Sequence, residues 1–524
     1  MYIAFGNSPV LIVGAGPTGL VLALSLARRG VRFRIVDAED GPGEQSRAMG
    51  VHARTLEFYR QFGFAEEVVK SGIVTDRVHL RGHGGGGRAK DATTFRLSDM
   101  GKGISPYPFL LTYPQDDHER FLVGQLETLG VQVEWRTTLT HFEEVASGVQ
   151  VTVEKDGTAE QFLAHWLVGC DGARSIVRRM LKIDFAGGTY EQLFYVADTR
   201  IDGVFDQDVH ANLAAHSFAL MMPVRSSGMH RLIGLVPEIL KGKEHVEFED
   251  VRHDVEALIG VRVMEVNWFS TYRVHHRVAE RLRVGRAFIA GDAGHIHSPA
   301  GGQGMNTGIG DAINLGWKLA DVVRGRVSPA ILDSYEIERL PFAKHLVATT
   351  DRAFDGIIAS GLKGEFIRRW LAPTAINIAT HFRPTRRLAF RTLSQTALSY
   401  PESFLSEGQA GIHGGERLPW VEGRNIEDDN FAPLRSLDWQ VHVYGESEKD
   451  VAVACGRAGL ALHVRPWSEM AHDAGLKQNA TYLIRPDGYV ALATAVDSCR
   501  KMESYLKRIG LRLGDNEIYV EEVE

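Results

Sequence analysis

Cysteine is scarce in this sequence: three residues, Cys170, Cys455 and Cys499, in a chain of 524. So few and so scattered, they build no disulfide framework, and without a C-x-x-C pair dithiol redox chemistry is excluded. Sparse thiols of this kind point to a reducing, cytoplasmic setting. Positive charge is short as well. The formal net charge is −7 and no basic stripe is present, so no nucleic-acid partner is expected. No apolar run is long enough to cross a bilayer, so no membrane partner is expected either, and the opening MYIAFGNSPV lacks the charged-then-apolar pattern of a secretory signal. Nowhere does a G-x-S-x-G elbow occur, which argues against an α/β-hydrolase. Internal repeats and long low-complexity segments are missing too. What is left is an ordinary globular composition, 44% hydrophobic and 24% charged, long enough for two to four domains.

Glycine, by contrast, is placed with purpose. In SPVLIVGAGPTGLVLALSLARRGVRFRIVDAED the run Val10–Val13 reads as a buried strand, Leu20–Arg29 as a helix closed by Gly30, and Phe33–Val36 as a second strand ending at Asp37. Gly14, Gly16 and Gly19 form G-x-G-x-x-G in the turn between strand and helix, with Ala15, Pro17 and Thr18 between them. Such glycines let a pyrophosphate reach the helix N-terminus, whose dipole and free amides favour anions, and an acid at the next strand's end bonds a ribose hydroxyl. A carboxylate at Asp37 would repel a 2′-phosphate, so this site suits FAD or NAD rather than NADP.

Two further turns share this grammar. In AHWLVGCDGARSIVRRM, Asp171-Gly172 follows a strand (Phe162–Val168) and precedes a short basic helix starting at Ser175. Cys170 beside them reads as a small core residue. In GDAGHIHSPAGGQGMNTGIGDAINLGWKLADVV, a strand (Arg286–Ala290) leads into Gly291-Asp292, and a largely buried helix runs from Met305 to Val323 behind Gly301, Gly302 and Gly304. Asp292, His295 and Ser298 have the residue types of a hydrolase triad, but the helix-mouth context explains them better. His295 with His297, and His275 with His276, lack acidic or cysteine partners at ligand spacing, so no metal site is expected there. The GGGG of Gly84–Gly87 reads as a turn.

GAGPTG, CDGARS and GDAGHIHSPAGGQGMNTGIGDAINLGWKLA resemble, in order and spacing, the three fingerprints of the class A (single-component) flavoprotein monooxygenases, the FAD-dependent aromatic hydroxylases. The resemblance runs over residues 8 to 345. It implies an α/β chain: an FAD-binding fold of the glutathione-reductase type (1–71, 114–180 and 281–345) with an inserted β-sheet substrate domain (72–113 and 181–280). On this likeness Gly14, Gly16 and Gly19 would hold the FAD pyrophosphate, Asp37 the adenosine ribose, and Asp171 of the Asp171-Gly172 motif both FAD and the reductant's approach. Asp292 would bond the ribityl or pyrophosphate region and Pro299 would line the flavin ring. The amides of Gly304, Met305 and Asn306 would face its N1 and C2 carbonyl. Arg47, Gln115 and Leu139 match positions near the cofactor. The reaction implied is hydroxylation of a phenolic or polycyclic aromatic by NADH or NADPH and O2 through a C4a-hydroperoxyflavin.

Between 180 and 285, stretches such as SFALMMPVRSSGMHRLIGLV alternate as strands do, and Phe218, Leu220 and Met222 fall on one face that either lines an aromatic pocket or is simply core. His216, Arg225 and Tyr272 are weak candidates for a phenolic oxygen; no catalytic residue is assigned. A helical connector (346–408) leads to a tail (409–524) that resembles the thioredoxin-like C-terminal domain of phenol and polyketide hydroxylases. WQVHVYG is a strand there, and TYLIRPDGYVALA a hairpin around Asp487-Gly488. Lacking C-x-x-C, that domain is expected to be structural or to support a homodimer. Two readings stay open beside hydroxylation: Baeyer–Villiger or epoxidising chemistry on the same scaffold, and a flavoprotein that acts mainly by binding a partner.

Overall fold

The apolar run at the chain's start forms the strand Ser8–Val13, the centre of a parallel sheet. Val10, Leu11 and Ile12 are wholly buried, as expected of a strand covered on both faces. The sheet's order is Arg283–Val284, Ala287–Ile289, Thr158–Gly169, Ser8–Val13, Phe33–Val36. The last four run parallel, with Val10 paired to both Trp166 and Phe33, and Leu167 to Ala287. Thr137–Val145 and Gly148–Lys155 extend it as antiparallel strands. In this computed structural model residues 8–43, 48–83, 89–202, 206–214, 217–224, 228–240, 242–298, 300–358 and 382–513 are described. Arg47, Gly84–Gly87, His216, Arg225 and Pro299 lie outside them.

Helices Pro17–Ala27 and Gly304–Val323 pack on this sheet and on each other. Their close approach depends on glycine: a Cβ on Gly316 would stand 2.4 Å from Ser25 Oγ. An eight-stranded sheet, largely antiparallel, forms the second layer. One of its faces, through Ala219, Met221 and Leu232, packs under the helix Phe248–Ile259. That helix went unread in the sequence although it carries its own signals: a capping box of Glu247 and Asp250, an apolar stripe of Val251, Val255 and Leu258, and Gly260 in the left-handed region after its end. A three-stranded sheet of Gly50–Val51, Leu110–Thr112 and Ile73–Thr75 adjoins the second sheet at the strand Phe218–Val224.

One boundary differs from expectation. The connector does not begin at 346, because one helix, Asp333–Ile358, runs through that position. The tail has a buried cluster of its own, including Ile412, Tyr482 and Ile484, and its other face packs on the main body: Trp439 and Val441 belong to the same buried cluster as Val10, and Trp317 meets Trp439 edge-on at 5.4 Å. Inside the tail Gln440–Tyr444 pairs parallel with Ala461–Arg465 and antiparallel with Thr481–Ile484, which turns back as Val490–Thr494. Among the described residues, no helix is long and apolar enough to cross a membrane.

Candidate cofactor site

Because four neighbouring strands of the first sheet run parallel, the turns after them line one edge. That edge is where doubly wound sheets bind ligands. Gly14–Gly16, Asp37, Cys170–Gly172 and Gly291–Asp292 all stand there, so motifs distant in sequence meet.

The three glycines of the first turn do three different things. Gly14 adopts φ 105°, and a Cβ on it would lie 2.3 Å from the Cys170 carbonyl oxygen. A Cβ on Gly19 would lie 1.9 Å from the Gly14 oxygen, so this glycine lets helix and turn touch. Nothing stands within 4 Å of a Cβ on Gly16. The space there is left for something other than protein. Pro17 opens the following helix, where a missing N–H costs nothing. Thr18 is wedged between motifs: Cβ atoms on Gly291 and Gly308 would lie 2.5 and 2.3 Å from its hydroxyl. Asp37 accepts from the Ala15 amide at 2.5 Å and from the Glu39 amide at 2.9 Å, and each oxygen keeps a lone pair for a hydroxyl.

Asp171 acts in the second turn as a helix cap, its Oδ2 accepting from the amides of Ile176 (2.7 Å) and Val177 (3.1 Å). Its Oδ1 is buried and has no protein partner. Burial raises this carboxyl from its ordinary value, while the hydrogen bonds oppose that. Gly172, at φ 72°, again has open space beside it.

The third turn is organised by a residue that the sequence reading missed. Asp292 is exposed, and desolvation by its surroundings raises its carboxyl; His295 opposes this and Asp311 adds to it. The hub is Asp311, on the buried face of the helix. It accepts from the Gly291 amide (3.0 Å), His295 Nε2 (2.6 Å) and Arg339 Nε (2.6 Å). Burial alone would raise its carboxyl, but Arg339 and His295 outweigh that and hold it at about 2. Arg339 also donates to the Thr307 carbonyl and the Tyr400 hydroxyl, both at 3.1 Å. An acid at helical spacing among Ile309, Ala312 and Leu315 was the available signal, since a charge on an apolar stripe must be paired.

Asn306 and His52 set the loop ahead of the helix. The Asn306 side chain accepts from the His52 amide (2.9 Å) and the Thr55 hydroxyl (2.8 Å), and donates to the carbonyls of Gly50 and Gly302. It therefore clamps the helix to its neighbours, which leaves only its backbone amide for a ligand. His52 Nε2 stands 2.8 Å from the Gly301 carbonyl, and burial holds its ring down at about 4, so the neutral imidazole donates there. Thr307 makes the helix's first internal bond, to Gln303, and the amides of Gly304, Met305 and Asn306 are the orphan donors of its first turn. His297 Nε2 and Ser298 Oγ, both buried beside this loop, have no protein partner.

Gln115 begins the helix Gln115–Thr128 and donates to Glu119 Oε1 at 2.8 Å; Glu119 also accepts from the Gly43 amide. Leu139 is a core residue, 1% exposed, on the strand Thr137–Val145. Tyr272 packs 5.9 Å from Phe194, which is 6.2 Å from Phe218. The Phe218–Leu220–Met222 face looks away from the covering helix. It abuts Met49 and Leu110, and a Cβ on Gly50 would reach Leu110 at 3.4 Å and the Gly302 oxygen at 4.0 Å. This apolar face thus borders the loop at the long helix's mouth.

Open space at Gly16 and Gly172, orphaned acceptors and donors at Asp171 and Ser298, and a bare helix N-terminus fit a large, anionic, partly aromatic cofactor. A family model described as an FAD-binding domain matches residues 7–350. The 6-methylpretetramide 4-monooxygenase of Streptomyces rimosus is 34% identical over 92% of this chain and 90% of its own length. The pentachlorophenol 4-monooxygenase of Sphingobium chlorophenolicum is 32% identical over 79% and 76%. The chain belongs to the FAD-dependent monooxygenase family. Among solved structures this flavoprotein superposes on the anhydrotetracycline hydroxylase OxyS of Streptomyces rimosus with a TM-score of 0.76 and 26% identity, covering 97% of this chain and all of that one.

Proposed function

We propose that this monooxygenase spends NADH or NADPH and O2 to hydroxylate a phenolic or polycyclic aromatic substrate held against the Phe218–Leu220–Met222 face. FAD, when bound, supplies the redox chemistry that places one oxygen atom of O2 on the ring. The chain's residues bind and orient. The Gly16 turn and the Pro17–Ala27 helix would hold the pyrophosphate, Asp37 the adenosine ribose, and Asp292 the ribityl side. The first-turn amides of the Gly304–Val323 helix would meet the negative charge that reduction leaves on the flavin, charge that arises during the reaction and is then already matched. Asp311, with His295 and Arg339, fixes the loop that carries those amides. The single observation that carries the proposal is the apolar sheet face bordering this loop, because it offers rings a dry surface beside the cofactor's reactive end. The relatives' named substrates, a pretetramide and a chlorinated phenol, support a ring of this class.

The tail supports a scaffold role. Its parallel strand pair joined to an antiparallel hairpin supports the thioredoxin-like reading, while burial pushes the Cys455 thiol up to about 11, far from the thiolate that redox chemistry needs. The test is NADH and NADPH oxidation by the FAD-loaded protein against phenols and hydroxylated polycyclics, with products weighed. Oxidation stimulated by one ring class, with one oxygen gained and the ring intact, is the expected result. A ring-expanded lactone would replace hydroxylation by Baeyer–Villiger chemistry. Oxidation that no aromatic stimulates would overturn the substrate assignment.

A further inference from the structure

On the second sheet, away from the cofactor cleft, the strands Arg77–His83 and Val209–Leu213 pair in parallel, with His79 directly opposite His210. Their imidazoles stack at 4.6 Å and 8°. Both rings turn Nε2 toward one carboxylate: His210 Nε2 lies 2.9 Å from Asp206 Oδ1, and His79 Nε2 lies 3.7 Å from Asp206 Oδ2. Asp208 Oδ2 stands 2.9 Å from the same His79 nitrogen. One ligand atom from each of His79, Asp206 and His210 falls within 4.8 Å of the other two.

We propose that His79, His210 and Asp206 bind one divalent transition-metal ion of the zinc type, with Asp208 or water completing the coordination. The donor chemistry is right, since imidazole with carboxylate suits zinc, copper and nickel. The two histidine-to-Asp206 distances, 2.9 and 3.7 Å, bracket the separation of about 3.3 Å that ligand bonds of about 2.0–2.1 Å at tetrahedral angles give, and an ion would tilt the stacked rings so that both Nε2 lone pairs converge on it. A second observation concerns the tautomer. His79 Nδ1 is 3.0 Å from the Thr94 hydroxyl. When an ion takes the place of the Nε2 proton that now faces Asp208, the ring can donate from Nδ1 to this hydroxyl, the outer-shell arrangement that metal-bound histidines use. Asp206 is half exposed and gives an ion its way in.

The site's place assigns its role. Val78 and Val209, next to the two histidines, pack with Met222 and Leu110 on the cleft side, so the histidines take the opposite face. An ion there would clip the hairpin Arg77–His83/Ala89–Arg96 to the main sheet from behind, bracing the proposed substrate face without touching the chemistry.

The experiment uses the full chain, stripped with EDTA and dialysed, then titrated calorimetrically with zinc chloride and followed by thermal unfolding. The expected result is one equivalent bound at micromolar or lower Kd, with a melting point raised by several degrees and returned by EDTA. His210→Ala and Asp206→Asn should each weaken that site at least tenfold. Since His210 is buried and its loss threatens folding, the half-exposed Asp206→Asn carries the decision, with FAD content as the control for an intact fold. Copper(II) at the same site should show nitrogen hyperfine splitting from two imidazoles. Zinc binding unchanged in Asp206→Asn and in His79→Ala, or no binding at 100-fold the protein concentration, would overturn the proposal and leave two hydrogen-bonded His–Asp pairs.

Discussion

Along the helix Gly304–Val323 the protein treats polar groups in two opposite ways. At its N-terminal end the turns keep space open at Gly16 and Gly172, and Asp171 Oδ1, His297 Nε2 and Ser298 Oγ are buried without protein partners. Further along, where the helix meets the tail, every charge is answered by the protein itself. Lys318 donates to Glu338 (2.8 Å) and Asn314 (2.7 Å). Arg485 makes two bonds to Glu338 and two to Asp487, and Asp487 also accepts from Trp317 Nε1. Lys318, Glu338, Arg485 and Asp487 are all fully buried, two cations with two anions. Burial opposes the charge on Glu338, yet Arg485 and Lys318 hold its carboxyl far below the usual range. Unpaired atoms mark where a ligand is to come; saturated ones mark where none is wanted.

The seam should therefore be the most sensitive place in the molecule to truncation. Glu338→Ala leaves buried Lys318 with no carboxylate and Arg485 with Asp487 alone, and a broken buried pair costs about 3–5 kcal/mol. Denaturant unfolding of the protein should show that loss, or the variant should fail to accumulate. A loss under about 1 kcal/mol would mean that water reaches the seam and that the contrast with the cleft is weaker than the geometry indicates.

The first turn allows the comparison to be made within six residues. Gly19→Ala drives a Cβ into the Gly14 carbonyl, so it should cost the apoprotein about 2 kcal/mol or more, as overpacking does. Gly16→Val meets no protein atom, so apoprotein stability should stay within about 1 kcal/mol while FAD affinity falls roughly a hundredfold. Flavin titration and apoprotein melting separate the two. If both variants lost stability equally, Gly16 would be a packing glycine and the open space would have another meaning.

This contrast also explains what the sequence revealed. The cofactor turns are local: strand, glycines, helix and Asp37 lie within forty residues, and their chemistry demands glycine at fixed offsets, so the spacing was readable. Asp311 was visible only as a charge on an apolar stripe, because its partners His295 and Arg339 are fixed by the packing of two helices. The seam was invisible. Asp487-Gly488 read as a hairpin turn, and it is one, with Gly488 at φ 77°, but nothing local says that Asp487 meets Trp317 across the tail's interface. Arg485 and Glu338 likewise pair only once the chain has closed on itself. For the same reason the packing of Trp439 and Val441 against the main core was not legible in the sequence of the tail.

Acid should tell the hub of the cleft from the seam. Asp311 is held at about 2 against an ordinary 3.8, so it contributes stability above pH 4 that is lost as the pH falls toward 2. A shift of this size amounts to roughly 2 kcal/mol. The gap in stability between wild type and Asp311→Asn should be constant from pH 7 to 5 and narrow by about 1 kcal/mol at pH 3. Glu338 titrates in the same direction but is present in both proteins, so it cancels in the difference. A gap that does not change with pH would mean that Arg339 and His295 do not hold Asp311 charged.

The smallest effect expected is at His52, whose side chain holds the loop through one bond to the Gly301 carbonyl while its amide bonds Asn306 in any variant. Losing one such bond is worth about 1 kcal/mol, so His52→Ala should weaken FAD binding a few-fold, with the overall fold intact. Because burial keeps the imidazole neutral down to about 4, it is the same donor at pH 6 and at pH 8, and the deficit should be equal at both. A deficit that grows at pH 6 would mean that the ring takes up a proton when the cofactor binds. The Gly301 loop would then belong with the responsive half of the comparison, and the orphaned His297 nitrogen beside it would be the next group to substitute.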